Sequence, residues 1–419
     1  MGIRASGASV SDSVVPELRG ATRPEIEILL GCASSRLDRQ QASRIADLLE
    51  GDIDWTYLVR TALFHRVSPL LAHHLQNGDF AVPADVRAAL RLHLDDNRQR
   101  TSSLIAVLFE LMDAFEQRYI AAIPFKGPTL GAVAYGDPAL RRAGDLDFLI
   151  REEQASAVTD ILRARGFLER DPAMTPEEDT AYRRYQCEYA FSRRADAVVV
   201  EPHWAIAPKT MAVPLDYPAM WQRAQPMALG GRPVTTLAPE DLLLVLCVHG
   251  SKHQWTQLRW ISDVAELIYR KPELDLDETL RRARASGSAR MLLLGLGLAR
   301  ALFGVENPPL VREALGADRA ATSLVAEVVG GLFRENVAAR PPSRVTRFRL
   351  RMRERWRDRA AYVFRTVTTP TVEYRRMVPL PPWLEGLYVP IWLLHDYAVL
   401  PGWRAAKRLA RTGEPGARE

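Results

Sequence analysis

A pair of aspartates inside an apolar segment places the strongest constraint on how this chain folds. Asp145 and Asp147 flank Leu146 and precede the apolar residues 148–150, a run typical of a buried strand. Alternate side chains of a strand lie on the same face, so the two carboxylates would project together while Leu146 and Phe148 face an apolar layer. Neighbouring carboxylates repel each other unless a cation lies between them. The segment therefore predicts a sheet that presents two carboxylates to a cation.

A divalent ion would remove this repulsion, and Mg²⁺ commonly takes one or two carboxylates together with the phosphate oxygens of a substrate. Such sites perform phosphoryl and nucleotidyl transfer, in which paired ions stabilise the attacking and leaving oxygens. Glu201 ends the apolar run 198–200, the next convincing strand, and we expect it on the same face as the aspartates. The Asp-x-Asp pattern alone leaves alternatives open, because solvated sheet edges, caps and metal-dependent sugar transferases also carry it.

The order of elements predicts an α+β fold, with a small mixed β-sheet core flanked by N-terminal and C-terminal helical regions. Apolar residues recur every three or four positions from about 24 to 119, which predicts helices. Strands that are not each followed by a helix then favour a mixed sheet over a doubly wound parallel one. The predicted parts are a disordered N-terminus (1–20), an N-terminal helical region (21–119), an α/β core (120–236), a helical domain (237–335) and a basic, aromatic C-terminal extension (336–419).

Composition narrows the class of protein further. The net charge of +5 is modest, and only five of the 56 basic residues are lysines, so a lysine inside a motif is more informative than an arginine. The three cysteines lie far apart, which argues against a disulfide framework and favours a reduced compartment. The N-terminus lacks the apolar run of a signal peptide, and the apolar stretch 387–400 is broken and shorter than the ~20 residues of a membrane span. We therefore predict a soluble, cytoplasmic protein.

Several short motifs follow one another in a fixed order between about 120 and 270. They are Lys126-Gly127, Tyr135-Gly136-Asp137-Pro138, Leu140-Arg141, residues 144–149, Glu201-Pro202-His203-Trp204, residues 237–242, residues 249–253, and Leu258-Arg259-Trp260 with Asp263. In this order they resemble the motifs of a bacterial family of uncharacterised nucleotidyltransferases within the polymerase-β-like nucleotidyltransferase superfamily. The resemblance implies an enzyme that transfers a nucleoside monophosphate from a nucleoside triphosphate to an acceptor.

The resemblance also implies roles for individual residues. Asp145, Asp147 and Glu201 would be the catalytic residues and the metal ligands, holding two Mg²⁺ ions that bridge the triphosphate, with ATP as the expected donor. The nucleotide-binding residues would be Lys126, Gly127, Thr129, Arg141, Lys252 and His253. The acceptor would be a hydroxyl or phosphate of a small molecule or peptide. Family members often accompany gene clusters for modified peptides or surface polysaccharides, which indicates a tailoring role without naming a substrate.

One position departs from the wider superfamily, which has serine after the glycine of the phosphate-binding turn. This chain has Pro128, which offers neither a hydroxyl nor an N–H. Either Lys126 and Thr129 take over the phosphate contacts, or triphosphate binding is weaker than usual. The alternative function is therefore a catalytically weak or inactive nucleotide-binding or scaffold protein on the same fold. A metal-dependent glycosyltransferase would need alternating strands and helices before Asp145, where the pattern predicts helices.

Two further features have alternative interpretations. His249 and His253 lie one helical turn apart, which permits zinc binding, a packing role, or proximity to phosphate or base, while Trp255 and Trp260 are predicted to be core. The arginines between 344 and 359 recur at every second or third position, which predicts a solvated helix. The alternative is weak contact with an anionic lipid surface or an acidic partner, assisted by the apolar segment 383–394. No nucleic-acid-binding module is evident, so no nucleic acid partner is expected.

Overall fold

The computed structural model describes residues 23–170, 175–334 and 342–368, together with positions 380, 384, 387, 388, 390 and 391. Within the described ranges the chain forms two compact units, the first made of residues 23–170, 187–207, 213–334 and 342–355. The second unit comprises residues 175–186, 208–212 and 356–368 together with the six isolated positions. The predicted disorder of residues 1–20 and most of the apolar segment 383–394 lie outside the described residues.

The first unit begins with helices, as the apolar periodicity predicts. They are α1 (Pro24–Cys32), α2 (Arg39–Leu49), α3 (Trp55–Phe64), α4 (Ser68–Asn77) and α5 (Ala84–Glu116). Polar side chains fix where two of them begin. Asp38 accepts a hydrogen bond from the Gln41 N–H, and the Gln41 side chain accepts one from the Asp38 N–H, a capping box. Asp54 caps α3 by accepting a single hydrogen bond from the Tyr57 N–H.

A five-stranded mixed sheet follows, which confirms the predicted fold class. Its strands are β1 (Ala122–Pro124), β2 (Leu146–Ile150), β3 (Leu168–Glu169), β4 (Phe191–Arg193) and β5 (Val198–His203), in the order β1-β2-β5-β4-β3. Only β2 and β5 run parallel; the other neighbouring pairs are antiparallel. The parallel pair aligns Asp147 with Glu201. Residues opposite each other in neighbouring strands share a face, so these two carboxylates project from the same side of the sheet.

The other face of the sheet is apolar and covered by helices. Phe148 of β2 is fully buried and contacts Phe115 of α5, with the two rings edge to face and their centroids 5.6 Å apart. Helix α7 (Ala155–Ala164) buries Val158 and Leu162 in the same region. The alternation in the sequence therefore separates an apolar layer from a carboxylate layer, as the Asp145–Ile150 segment predicts.

A separate hairpin and a helical region complete most of the first unit. After α9 (Tyr217–Arg223), strands β6 (Gln225–Leu229) and β7 (Arg232–Thr236) are joined by Gly230 and Gly231, both in the left-handed conformation that this tight turn requires. The helices that follow are α10 (Pro239–Lys252), α11 (Leu258–Arg270), α12 (Leu276–Ser286), α13 (Ala289–Phe303), α14 (Pro309–Ala317), α15 (Arg319–Gly331) and α16 (Pro342–Arg351). Trp255 is fully buried and Trp260 nearly so, as predicted.

The arginine-rich segment, which holds the arginines between 344 and 359, is divided between the two units. Its first part, residues 342–355, packs on the helices of the first unit: Arg351 lies 2.5 Å from Glu327, Arg353 is fully buried, and Glu354 accepts hydrogen bonds from the N–H groups of α13. This part is packed rather than freely solvated. Among the helices of the described ranges, none has the length and apolar character to cross a bilayer.

The second unit has few described elements. They are α8 (Pro176–Tyr185), a short 3₁₀ turn (Lys209–Met211) and α17 (Trp356–Thr368). The Arg365 guanidinium of α17 donates to the Lys209 carbonyl at 2.7 Å, which joins the turn to the helix. Trp356 and Phe364 of α17 are exposed.

Candidate active site

Three carboxylates lie together where the parallel strands β2 and β5 run side by side. Asp147 and Glu201 are in register on β2 and β5, and Asp145 directly precedes β2. Asp147 is 1% exposed, whereas Asp145 and Glu201 are partly accessible to solvent. The structure thus brings together the three residues that the sequence indicates as metal ligands, with one carboxylate buried and two at an accessible rim.

Lys126 supplies the positive charge at the centre of this cluster. It follows β1, is almost fully buried, and its ammonium contacts Asp147 Oδ1. Burial lowers the pKa of Lys126, but the charges of Asp147, Asp145 and Glu201 more than compensate and raise it above its usual value. Lys126 is therefore an ammonium ion that all three carboxylates stabilise.

His203 is a second cation next to Asp147. Its Nε2 lies 3.0 Å from Asp147 Oδ1 and its Nδ1 lies 2.9 Å from Glu188 Oε2. Burial opposes the charged form, but Glu188 and Asp147 raise the pKa of His203 well above its usual value. Lys252 of α10 lies 3.3 Å from the other oxygen of Glu188. A chain of alternating charges therefore runs from Lys126 through Asp147, His203 and Glu188 to Lys252.

Sequence reasoning did not identify His203 or Glu188 as site residues. His203 lies in the Glu201–Trp204 motif, so this motif could have indicated that His203 belongs to the site. Glu188 lies just before β4 and forms an isolated antiparallel bridge with His203, which no local pattern predicts. Its position depends on how the loop before β4 folds against β5.

The environments of the two aspartates shift their pKa values in opposite directions. Burial, followed by the neighbouring Asp147 carboxylate, raises the pKa of Asp145. Burial would also raise the pKa of Asp147, but Lys126 and His203 together hold it below its usual range. Asp145 is thus the carboxylate whose ionised form lacks sufficient compensation by the protein, and a bound cation would supply that compensation.

The donor set fits a hard divalent cation. The Asp147 Oδ2 atom is buried and has no hydrogen-bond partner among the described residues. Ligand atoms of Asp147, Glu201 and His203 lie within 4.8 Å of one another. Because His203 is held in its charged form, the available donors are carboxylate oxygens, which Mg²⁺ prefers. Cys187, Glu188 and His203 form a second group of this kind, but it shares the same histidine.

The turn after β1 packs directly against the backbone of the carboxylate cluster. Gly127 has a φ of +57°, and a Cβ at this position would lie 2.7 Å from the Asp145 carbonyl oxygen. The turn opens a short helix α6 (Gly127–Leu130), which continues as a π-helical turn (Gly131–Tyr135). Thr129 is fully buried, and its hydroxyl has no partner among the described residues. Glycine is required here because it permits both the conformation and the close approach.

Replacement of this glycine is therefore expected to damage the site. Gly127→Ala should destabilise the fold by ~1–3 kcal/mol through the left-handed conformation and further through the contact with Asp145. Urea unfolding of purified protein measures this loss. Gly166→Ala is the matched control, because Gly166 has a φ of +79° and a Cβ there would meet nothing within 4 Å. Equal losses for the two variants would contradict the proposed close packing.

Arg141, expected to bind nucleotide, is engaged in a buried ion pair. Its Nε and Nη2 donate to the Asp263 carboxylate of α11 at 2.8 and 3.0 Å, and the Tyr135 hydroxyl donates to the same carboxylate at 2.9 Å. The remaining Nη1 donates to the Gly127 carbonyl at 3.3 Å. Arg141 therefore ties the turn at Gly127 to the helical region, and this contact accounts for its presence in the motif.

The histidines of α10 form an aromatic group near the cluster. The His253 ring stacks on Trp260 with centroids 5.1 Å apart, and His249 lies 4.6 Å from His253. Burial is the main cause of the shifted pKa values of both histidines. It lowers the pKa of His253 to about 4 and the pKa of His249 well below its usual value. Both rings are thus neutral at pH 7. Neither belongs to a group of metal-ligating side chains in the part of the chain that the structure describes.

The sheet and its carboxylate cluster have the arrangement of a nucleotidyltransferase core. A family model described as uncharacterised nucleotidyltransferase matches residues 51–304 of this chain. Since this match covers more than half of the chain, the protein belongs to that family. The matched region includes the sheet, the Gly127 turn, and helices α10 and α11. No curated protein matches the sequence.

Proposed function

We propose that the protein transfers a nucleoside monophosphate from a nucleoside triphosphate, with ATP the expected donor, to a hydroxyl or phosphate of a small molecule or peptide. The observation that carries this proposal is the alignment of Asp147 with Glu201 on parallel strands, beside Asp145 and around the Lys126 ammonium. Membership of the polymerase-β-like superfamily, and a role in natural-product or polysaccharide biosynthesis, are part of the same proposal.

Asp145, Asp147 and Glu201 would hold Mg²⁺, with two ions expected. When bound, Mg²⁺ supplies charge neutralisation for the triphosphate and lowers the pKa of the acceptor hydroxyl. Two observations support this assignment. The buried Oδ2 of Asp147 has no hydrogen-bond partner among the described residues and is available as a ligand atom. The raised pKa of Asp145 reflects carboxylate charge that the protein leaves uncompensated.

Lys126 and the turn after it would bind the triphosphate. The Lys126 ammonium is held by Asp147 inside the carboxylate cluster, and in this proposal it faces the donor phosphates. Gly127 lets the turn approach the cluster closely, and the unpartnered Thr129 hydroxyl is a further hydrogen-bonding group next to it. Lys252 and His253 would contact the nucleotide from α10, with neutral His253 offering its ring beside Trp260. In this proposal Arg141 acts by positioning Gly127.

Glu201 is the group best placed to take the proton of the acceptor hydroxyl. Its carboxylate is 22% exposed, whereas that of Asp147 is sealed, so an acceptor arriving from solvent meets Glu201 first. The acceptor oxygen attacks the α-phosphorus, the bond to pyrophosphate breaks, and the proton moves to Glu201.

The proposal is tested with purified protein, Mg²⁺ and each nucleoside triphosphate. Isothermal titration measures binding, and a coupled assay measures pyrophosphate release with a panel of hydroxyl- and phosphate-bearing acceptors. EDTA is expected to abolish the release. The second candidate function, a nucleotide-binding scaffold, is favoured by Pro128, which lacks the N–H and hydroxyl of the usual turn. Binding without pyrophosphate release for every acceptor would favour the scaffold.

Glu201→Gln is expected to separate proton transfer from binding. Loss of a general base typically costs about 10²–10⁴-fold in kcat, while the amide keeps the size of the side chain. Triphosphate affinity should change far less than kcat. Steady-state kinetics and titration measure the two quantities. Glu152→Gln, an exposed position just after β2, is the control and should behave as wild type. A kcat within twofold of wild type would remove Glu201 from this role.

A further inference from the structure

A polar cavity lies beside the carboxylate cluster without including it. It has a volume of about 590 Å³ and is formed by α5, the end of α3 with the turn after it, and the loop before β2. Its lining residues are Leu63, Arg66, Asp96, Arg100, Arg142, Ala143 and Gly144. Cavities of this size hold small-molecule ligands or parts of them. Gly144 directly precedes Asp145, so the cavity adjoins the proposed metal ligands.

The charge of the lining is strongly positive. Three guanidinium groups face one carboxylate, Asp96, and all three arginines are only partly exposed. Arg66 and Arg142 have no carboxylate within ion-pair distance in the described ranges of the chain. Partly buried guanidinium groups without a counter-charge are costly, and an anion that binds between them removes this cost.

One of the arginines is held in place by backbone carbonyls, and a second lies close to the same loop. Arg100 donates from Nε to the Ala143 carbonyl at 3.3 Å and from Nη2 to the Gly144 carbonyl at 3.1 Å, which leaves its other N–H groups fixed in direction. Arg66 Nη1 lies over Gly144, where a Cβ would approach it to 3.1 Å. Hydrogen-bond donors that are already fixed in direction bind an oxyanion without the entropic cost of ordering their side chains.

The turn that carries Arg66 is anchored to the helical region. The preceding residue, His65, is buried; its Nδ1 accepts from the Leu258 N–H at 3.1 Å and its carbonyl accepts from the Arg259 N–H at 3.3 Å. Arg66 itself has a φ of +57°, an unfavourable conformation that these contacts maintain. The backbone from which the Arg66 side chain extends is therefore fixed by packed structure.

We infer that this arginine-lined cavity binds a phosphate group of a substrate of the proposed transferase. Planar guanidinium groups bind phosphate oxygens through paired, charge-assisted hydrogen bonds. The phosphate has two possible sources, the terminal phosphates of the donor or a phosphate on the acceptor. The inference rests on the proposed function for the identity of the substrate, but the anion site itself can be measured without catalysis.

The test is titration of the full chain with inorganic phosphate and with pyrophosphate. Arg142→Gln and Arg66→Gln are each expected to weaken phosphate binding by about tenfold or more, as for loss of a charge-assisted hydrogen bond. Asp96→Asn should strengthen it, because it removes the negative charge from the lining. Arg98→Gln is the matched control, since Arg98 lies on the same helix but is exposed and outside the lining. Circular dichroism verifies the fold of each variant.

Saturation with Mg²⁺ and a non-hydrolysable ATP analogue separates the two sources. If inorganic phosphate still binds when the analogue is bound, the cavity holds a phosphate of the acceptor. If the analogue prevents phosphate binding, the cavity holds the terminal phosphates of the donor. Asp147→Asn should leave phosphate binding intact, so failure of catalysis and failure of this site are distinguishable. Wild-type phosphate affinity in both arginine variants, or no phosphate binding by the wild type at millimolar concentration, would overturn the inference.

Discussion

Asp147→Asn is expected to lower nucleotidyl transfer by about 10³-fold or more while the protein remains folded. Asp147 occupies the centre of the site: its Oδ1 contacts Lys126 and lies 3.0 Å from His203 Nε2, and its Oδ2 is buried without a partner. Asparagine keeps the shape but removes the negative charge and places an amide at one of the two oxygen positions. A hard cation then loses its most enclosed ligand.

The fold should survive because the two cations keep other partners. His203 retains Glu188 at 2.9 Å, and Lys126 retains the nearby charges of Asp145 and Glu201. Pyrophosphate release at saturating Mg²⁺ and ATP measures the effect, and circular dichroism with a thermal melt verifies the fold. Asp160→Asn on the exposed side of α7 serves as the control. Turnover of the Asp147 variant within tenfold of wild type would contradict the proposed site.

Asp263→Asn is expected to cause the largest loss of stability, about 3–5 kcal/mol in the free energy of unfolding, the typical effect of breaking a buried pair. The side chains of Arg141 and Asp263 are 5% and 1% exposed. Burial lowers the pKa of Arg141, but Asp263 outweighs this effect and raises the pKa above its usual value in the wild type. The guanidinium also stays charged without Asp263, because arginine does not lose its proton in proteins. The mutation leaves this charge buried without compensation and removes an acceptor of the Tyr135 hydroxyl.

Urea denaturation, with equal slopes in both proteins, measures this loss. Asp113→Asn is the matched control, because it breaks a comparable arginine–aspartate pair, with Arg232, that is largely exposed. Exposed pairs contribute little to stability, so this variant should unfold close to wild type. The double variant Arg141→Met/Asp263→Leu should recover much of the loss, because it removes both charges together. An Asp263 variant as stable as the Asp113 variant would show that the pair does not hold the turn.

The local sequence pattern was sufficient to predict which face of the sheet the carboxylates occupy. The alternation of polar and apolar residues around Asp147 predicts which face the carboxylate occupies, and the apolar run before Glu201 predicts a neighbouring strand. Both follow from the two-residue period of a strand, which is a local property. The mixed sheet and the flanking helices follow in the same way from the order of strand and helix patterns.

Local sequence patterns could not predict which distant group each of these side chains contacts. The sequence predicts that Arg141 binds nucleotide, whereas its ion-pair partner Asp263 lies 122 positions further along the chain, where no local pattern links the two residues. The link from His203 to Glu188 depends on the path of a loop, and the burial of Arg353 depends on packing against α13. The periodicity of apolar residues identifies which face of a helix or strand is buried, but not which residues pack against that face.

The bond from Arg141 to the Gly127 carbonyl has a consequence for any shortened form of this protein. The turn next to the carboxylates is braced from α11, more than a hundred residues downstream, through Asp263. A fragment cut after β7 would keep all five strands of the sheet but lose Asp263, and with it the ion pair that holds Arg141 against the Gly127 turn. We therefore expect that the shortest fragment with an intact carboxylate site extends at least through α11.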